Sequence, residues 1–313
     1  MFLRLAIGSC LLLLATVQTA NAQPFPFGKL AEKFERQFIV SADALALRRG
    51  PTGSQGLTGG GIDEWNAADM RFDYEVGPRI SLEIPVFEWS SIELNYFGIQ
   101  SHTATKTKTG VFAAVAGPGF TYFVGPGDFN RFNYSADLHS LEANFRHQWS
   151  DWITLLAGFR WVEVSEDFHG FLNGDLTYSL ATINHLYGFQ IGADVTLHRF
   201  FDGRLRADSF ARAGIFGNHA TVTGVSTGVA APAGAATDNS DGSAFVGELG
   251  LLGVYQLREN LFIRAGYQVL WIDGIATAPN QLPTVNTQTG VAALNNDFSA
   301  LYHGGFLGLI ATF

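Results

Sequence analysis

The chain has 313 residues, of which 47% are hydrophobic and only 15% charged, with a formal net charge of −9. So apolar a composition excludes a disordered chain, and the acidic balance leaves no basic face for nucleic-acid phosphates. An average soluble domain is about 25% charged; here the shortfall is mainly lysine, which occurs at Lys29, Lys33, Lys106 and Lys108 alone.

Residues 1–22 read as a secretory signal, with Arg4 before an apolar core from Leu5 to Val17 and Ala20-Asn21-Ala22 as the cleavage site. The single cysteine, Cys10, lies inside that signal, so disulfides and thiolate metal sites are not expected in the exported chain. Residues 23–36 are expected to form a periplasmic leader and residues 37–313 the folded domain. No later stretch offers 18 consecutive apolar residues, so no transmembrane helix is expected.

Beyond the leader the hydrophobic pattern has period two, the signature of strands. The first predicted strand is Phe38 to Leu47, with Ser41 and Asp43 inward. After a glycine-rich loop, 49–68, Met70, Phe72, Tyr74, Val76, Ile80, Leu82 and Ile84 keep one parity through Gly77-Pro78, which reads as one long strand. Ile92, Leu94 and Tyr96 alternate with Glu93 and Asn95 in the third. A long loop, 100–136, is expected next; its apolar run Val111 to Val124 could pair as a hairpin folded over or into the mouth, or add two strands to the wall. Leu141 to Arg146 and Ile153 to Trp161 form the clearest hairpin, followed by a loop at 166–181. Strands six and seven are Asn184 to Thr196 and Arg204 to Gly217. A Gly/Ala/Thr-rich loop, 218–241, precedes the hairpin Phe245 to Tyr255 and Leu261 to Trp271. After another long loop, Leu301 to Phe313 closes the series.

The connections alternate long and short, and the short ones share a side with both termini. That sorting predicts an all-β fold, a transmembrane antiparallel up-and-down β-barrel of 10 strands (12 possible) with short periplasmic turns and long extracellular loops. Trp89, Trp149 and Trp152 at the short turns, with Trp161 and Trp271 at the outer strand ends, predict two aromatic girdles. Phe313 at the end of the last strand suits a C-terminal barrel-assembly signal. The expected partners are outer-membrane lipid, the barrel-assembly machinery and possible small solutes; a monomer without cofactor is expected.

In the segments Asn184 to Asp194, Leu141 to Trp149, Ala157 to Glu166 and above all Arg264 to Leu282, RAGYQVLWIDGIATAPNQL, the chain resembles the planctomycete outer-membrane β-barrel porin family. The resemblance runs from about Phe38 to Phe313. It implies a barrel in the outer membrane of such a bacterium, and it carries no catalytic or ligand residues over.

The expected lumen network pairs Arg79, Arg146, Arg160, Arg204, Arg206, Arg212 and Arg264 with Asp43, Glu83, Glu93, Glu142, Asp194, Asp208 and Glu248, joined by Gln268. Ten strands enclose a bore only slightly wider than eight strands fill. A paired plug is therefore favoured over a solute-selecting constriction. The leading function is a small porin-like or structural surface protein, with an adhesin or receptor acting through the loops at 49–68, 100–136 and 218–241 as the rival. Glu166-Asp167-Phe168-His169 puts an acid and a histidine at the outer mouth, where surface proteases of the omptin kind keep theirs; a solvated loop is the plainer reading. The other histidines are scattered without metal spacing, and Asp238 to Gly242 reads as a turn rather than a calcium loop.

Overall fold

Alternation of large apolar with polar or small residues builds ten strands that pair only with antiparallel neighbours and close on themselves. The computed structural model describes residues 38–51, 53, 55–59, 64–117, 120–229 and 232–313. The expected signal, 1–22, and leader, 23–36, lie outside these residues.

The wall consists of β1 (Ile39–Arg49), β2 (Tyr74–Phe87), β3 (Ser90–Thr109), β4 (Phe129–Ser150), β5 (Ile153–Leu172), β6 (Asp175–Phe200), β7 (Leu205–Ser226), β8 (Gly234–Arg258), β9 (Leu261–Ile275) and β10 (Phe298–Thr312). Each pairs with the next, and β1 closes against β10 from Ile39↔Thr312 to Arg49↔Tyr302. β2 runs unbroken through Gly77-Pro78. Glycine is required there, since a Cβ on Gly77 would stand 1.9 Å from the Gly98 carbonyl oxygen.

The outer face carries a band of exposed large apolar side chains, among them Ile92, Leu94, Phe145, Leu155, Phe159, Phe189, Ile191, Leu249, Leu251 and Leu309. A closed barrel leaves no strand edge, and such a band is what lipid solvates. Trp89, Trp149 and Trp152 are exposed at the short turns.

The structure adds to or departs from the expected course of the chain in three places. First, much of the chain assigned to loops is wall. β3 continues to Thr109, β5 and β6 meet at Asn173-Gly174, and β7 and β8 run to Ser226 and from Gly234. At about 3.4 Å per residue and a tilt of about 40°, the 26-residue β6 rises on the order of 65 Å, more than twice the apolar band. Trp161 therefore stands in mid-strand, with β5 continuing to Leu172, while Trp271 is near the end of β9. The outward side chains above that level turn polar, as in Thr103, Thr105, Thr107, Glu163, Ser165 and Asp167, so the hydrophobic period fades where the wall leaves lipid. Lys106 and Lys108 belong to this extension of β3.

Second, β3 is bulged between Ile99 and His102, with Ser101 at φ 65. The extra residue reverses parity, so Phe97 and Ile99 point inward below it and His102 and Ala104 above it. Third, Met70 and Phe72 are buried rather than lipid-facing, and β2 begins at Tyr74. The apolar run at 111–124 adds nothing to the wall. Phe112–Gly117 and Phe120–Val124 pair with each other and with Thr58–Gly59 in a separate three-stranded sheet.

In reconstituted vesicles, cysteines at Thr105 and Ser165 are expected to react with a water-soluble maleimide, and cysteines at Leu155 and Ile191 to be protected. Rapid labelling at Leu155 would place the apolar band in water.

Candidate functional site

The inward side chains form layers, the lowest of them charged. At the short-turn end, Asp43 accepts hydrogen bonds from Arg79 Nε at 2.6 Å and Arg264 Nε at 2.7 Å. Arg79 Nη1 donates to Gln268 Oε1 at 2.7 Å. Arg146 faces three acids, Asp194 at 2.7 Å, Glu93 at 3.2 Å and Glu83 at 3.8 Å. Glu142 has Arg212 at 3.0 Å and Arg160 at 3.7 Å, and it accepts the amides of Asn95, Asn144 and Gln190. Arg160 Nη1 lies 2.7 Å from Glu248. A buried ion repays its lost hydration only when attraction and hydrogen bonds act together, and here each acid has a guanidinium beside it.

Of the remaining residues expected in the network, Arg206 and Asp208 pair at 2.6 Å at the rim, where Arg206 is 43% exposed. Arg204 stands exposed at the turn between β6 and β7, outside the cluster. Its inward assignment assumed a strand beginning one residue too early.

Above the charges lies an apolar layer that includes Leu45, Leu47, Phe97, Leu138, Val162, Val164, Leu186, Phe216, Leu270 and Tyr302. None of these is more than 1% exposed. Side chains lining a water-filled bore would be wet, so this layer is a seal.

On the seal sits a pair that sequence reasoning left in loops. Arg49 and Glu166 are both fully buried and joined by a salt bridge. The rings of Phe72 and Tyr134 lie 5.2 and 5.1 Å from the Arg49 guanidinium carbon. Tyr134 Oη and the backbone N–H of Ala278 donate to Glu166 at 2.5 and 2.9 Å. Parity could have found both residues. Arg49 continues the inward series of Asp43, Leu45 and Leu47, and Glu166 that of Arg160, Val162 and Val164.

Through Ala278, this pair fastens the connection after β9 inside the mouth. Asn184 holds the same segment with both ends of its amide, accepting from Ala276 N at 2.7 Å and donating to Ala276 O at 2.8 Å. Asn218 donates to Gly274 O at 2.9 Å. Leu282 and Val285 then join Leu57, Met70, Phe72, Phe112, Tyr122 and Val124 in one apolar cluster filling the mouth. Three connections thus meet there.

Burial pushes the Tyr122 phenol up to about 12, against weaker opposing effects of hydrogen bonds with Thr177 and Asn130. Its neutral form therefore stabilises the mouth fully below the ordinary tyrosine value near 10. That contribution is lost as pH rises from about 10 to about 12. Trp65, packed against the cluster, is expected to report release of the hairpin in that window, and Tyr122→Phe to move release to higher pH.

The pleat separates Glu166 from the histidine of the 166–169 motif and leaves Asp167 on the same outward face as His169. Glu166 points inward to Arg49, whereas His169 has the outward parity of Glu163 and Ser165. Glu166→Gln, which leaves Arg49 buried without its carboxylate, is expected to cost roughly 3–5 kcal/mol. The double variant Arg49→Leu, Glu166→Leu should cost much less. Denaturant unfolding followed by heat-modifiable gel mobility reads both, and equal losses would refute the paired account.

No family model and no curated protein matches the chain. Solved structures do. The outer membrane protease OmpT from Escherichia coli matches with a TM-score of 0.50 at 9% identity, over 94% of this chain and 99% of that one. The translocator domain of autotransporter NalP from Neisseria meningitidis follows with a TM-score of 0.43 at 10% identity, over 91% and 92%. The Ralstonia pickettii toluene transporter TbuX gives 0.33 at 10%, over 88% of each chain. At such identities the likeness to OmpT is one of fold.

Proposed function

We propose that this chain is an outer-membrane barrel, with its short turns in the periplasm and its long extension on the cell surface. In this reading it is closed to solutes at rest and works as a structural or binding surface. The observation that carries it is the dry apolar layer between the charged vestibule and the filled mouth. The apolar band and the tryptophans at the short turns support the location. Lipid and the assembly machinery are the partners this reading requires, the latter meeting β10. A catalytic role is not part of it: Glu166 is bound to Arg49 inside the wall, while Asp167 and His169 lie on the outer face, away from the mouth.

The charged vestibule favours a second reading, a small-solute channel whose plug withdraws. In planar bilayers the untreated protein is expected to stay silent. Removing the plug segment 276–296, or introducing Glu166→Lys, is expected to produce discrete steps that change when Glu248 is neutralised. Steady steps from the untreated protein would overturn the closed reading.

A further inference from the structure

The register of the wall collects titratable residues that stand far apart in the chain. His139 on β4 is directly opposite Glu163 on β5, Glu163 opposite His185 on β6, His185 opposite His219 on β7, and His219 opposite Asp241 on β8. All five have outward parity. The row lies one outward position above Leu141, Trp161 and Tyr187, where the apolar band gives way to the polar extension. The register thus aligns histidines that lie far apart in the chain.

At the centre of the row two histidines are register partners on adjacent strands, and each has a carboxylate beside its Nδ1. Asp241 Oδ1 is 2.7 Å from His219 Nδ1. An ionised carboxylate can only accept, so Nδ1 carries the proton and Nε2 keeps its lone pair. Glu163 Oε2 is 3.1 Å from His185 Nδ1, within ion-pair reach though out of line for a hydrogen bond. Carboxylates behind ligating histidines fix the tautomer and raise the basicity of the other nitrogen in the same way. Directly opposed residues on antiparallel strands have Cβ atoms about 4.5–5.5 Å apart, close enough for two rings to share one ion at about 2.0–2.1 Å from each nitrogen. His185 and His219 are 34% and 49% exposed, so an ion has access from solvent.

The geometry points to a surface site for a divalent transition-metal ion, with His185 and His219 as its two protein ligands through Nε2. Glu163 and Asp241 are the positioning residues, and water fills the remaining positions. Among the described residues no three His, Cys, Asp or Glu side chains are gathered as direct ligands, which fits a two-histidine site open to solvent. Imidazole ligation selects copper, nickel or zinc over magnesium or calcium, and copper(II) binds most tightly in that series.

The test is titration of the untagged, full-length protein in detergent with copper(II) alone, read by binding isotherm and electron paramagnetic resonance. One tight equivalent with a two-nitrogen imidazole signature is expected. His185→Ala and His219→Ala should each weaken binding at least tenfold and leave one nitrogen, and the double variant should lose the tight equivalent. Glu163→Gln and Asp241→Asn should keep both nitrogens while lowering affinity roughly 10- to 100-fold. All these positions face outward, and gel mobility verifies the fold. No tight equivalent, a signature without two imidazoles, or unchanged binding in the double variant would overturn the site.

Discussion

In hydrocarbon a backbone N–H or C=O without a partner costs several kcal/mol, and that single constraint shapes this molecule. It forces the sheet to close, which happens where β1 meets β10 and where Phe38 and Phe313 exchange backbone hydrogen bonds at 3.1 and 3.0 Å. Closure with ten strands then limits the width of the bore. Every second residue must point into a space barely wider than side chains fill, so the interior behaves as a core.

That core uses two solutions in sequence. Near the short turns it is polar, and the arginines and acids are held because each is paired or amide-bonded. Further up, mainly aliphatic and aromatic side chains fill the bore. The buried Arg49–Glu166 pair interrupts the apolar filling where the chain after β9 must be captured, since it supplies a fully buried acceptor for the Ala278 amide. Asn184 and Asn218 complete the capture by imitating backbone. These contacts give a physical reason for the segment Arg264 to Leu282, which builds one strand and then the first turn of the plug.

Legibility followed the contrast between the two faces. Where the outside is lipid, as from Leu155 to Trp161 or from Tyr187 to Ile191, period two is sharp and the strands can be read directly. Where the outside is water, the same strands alternate polar with small residues, and Thr103 to Thr109 or Thr221 to Val225 look like loops. Asn173-Gly174 was a missed signal, because such a dipeptide between alternating runs marks a two-residue hairpin turn. The bulge at Ser101 left no comparable trace, and beyond it parity alone assigns the wrong face. The lumen charges below it could be sorted by parity; Arg49 and Glu166 were passed over only because the strands holding them were ended too soon.

The chain by itself determined that ten segments extend with one greasy face, that short turns share one side, and, Arg204 excepted, which acids and arginines point inward near those turns. These are local matters, fixed by which neighbours along the strand a side chain alternates with. Only the tertiary structure decided that a buried apolar layer fills the bore, that Glu166 meets Arg49 and Ala278, and that His185 pairs in register with His219. Such pairings depend on the register between strands and on where a loop comes to rest, and both are set by contacts among residues that the linear order keeps far apart.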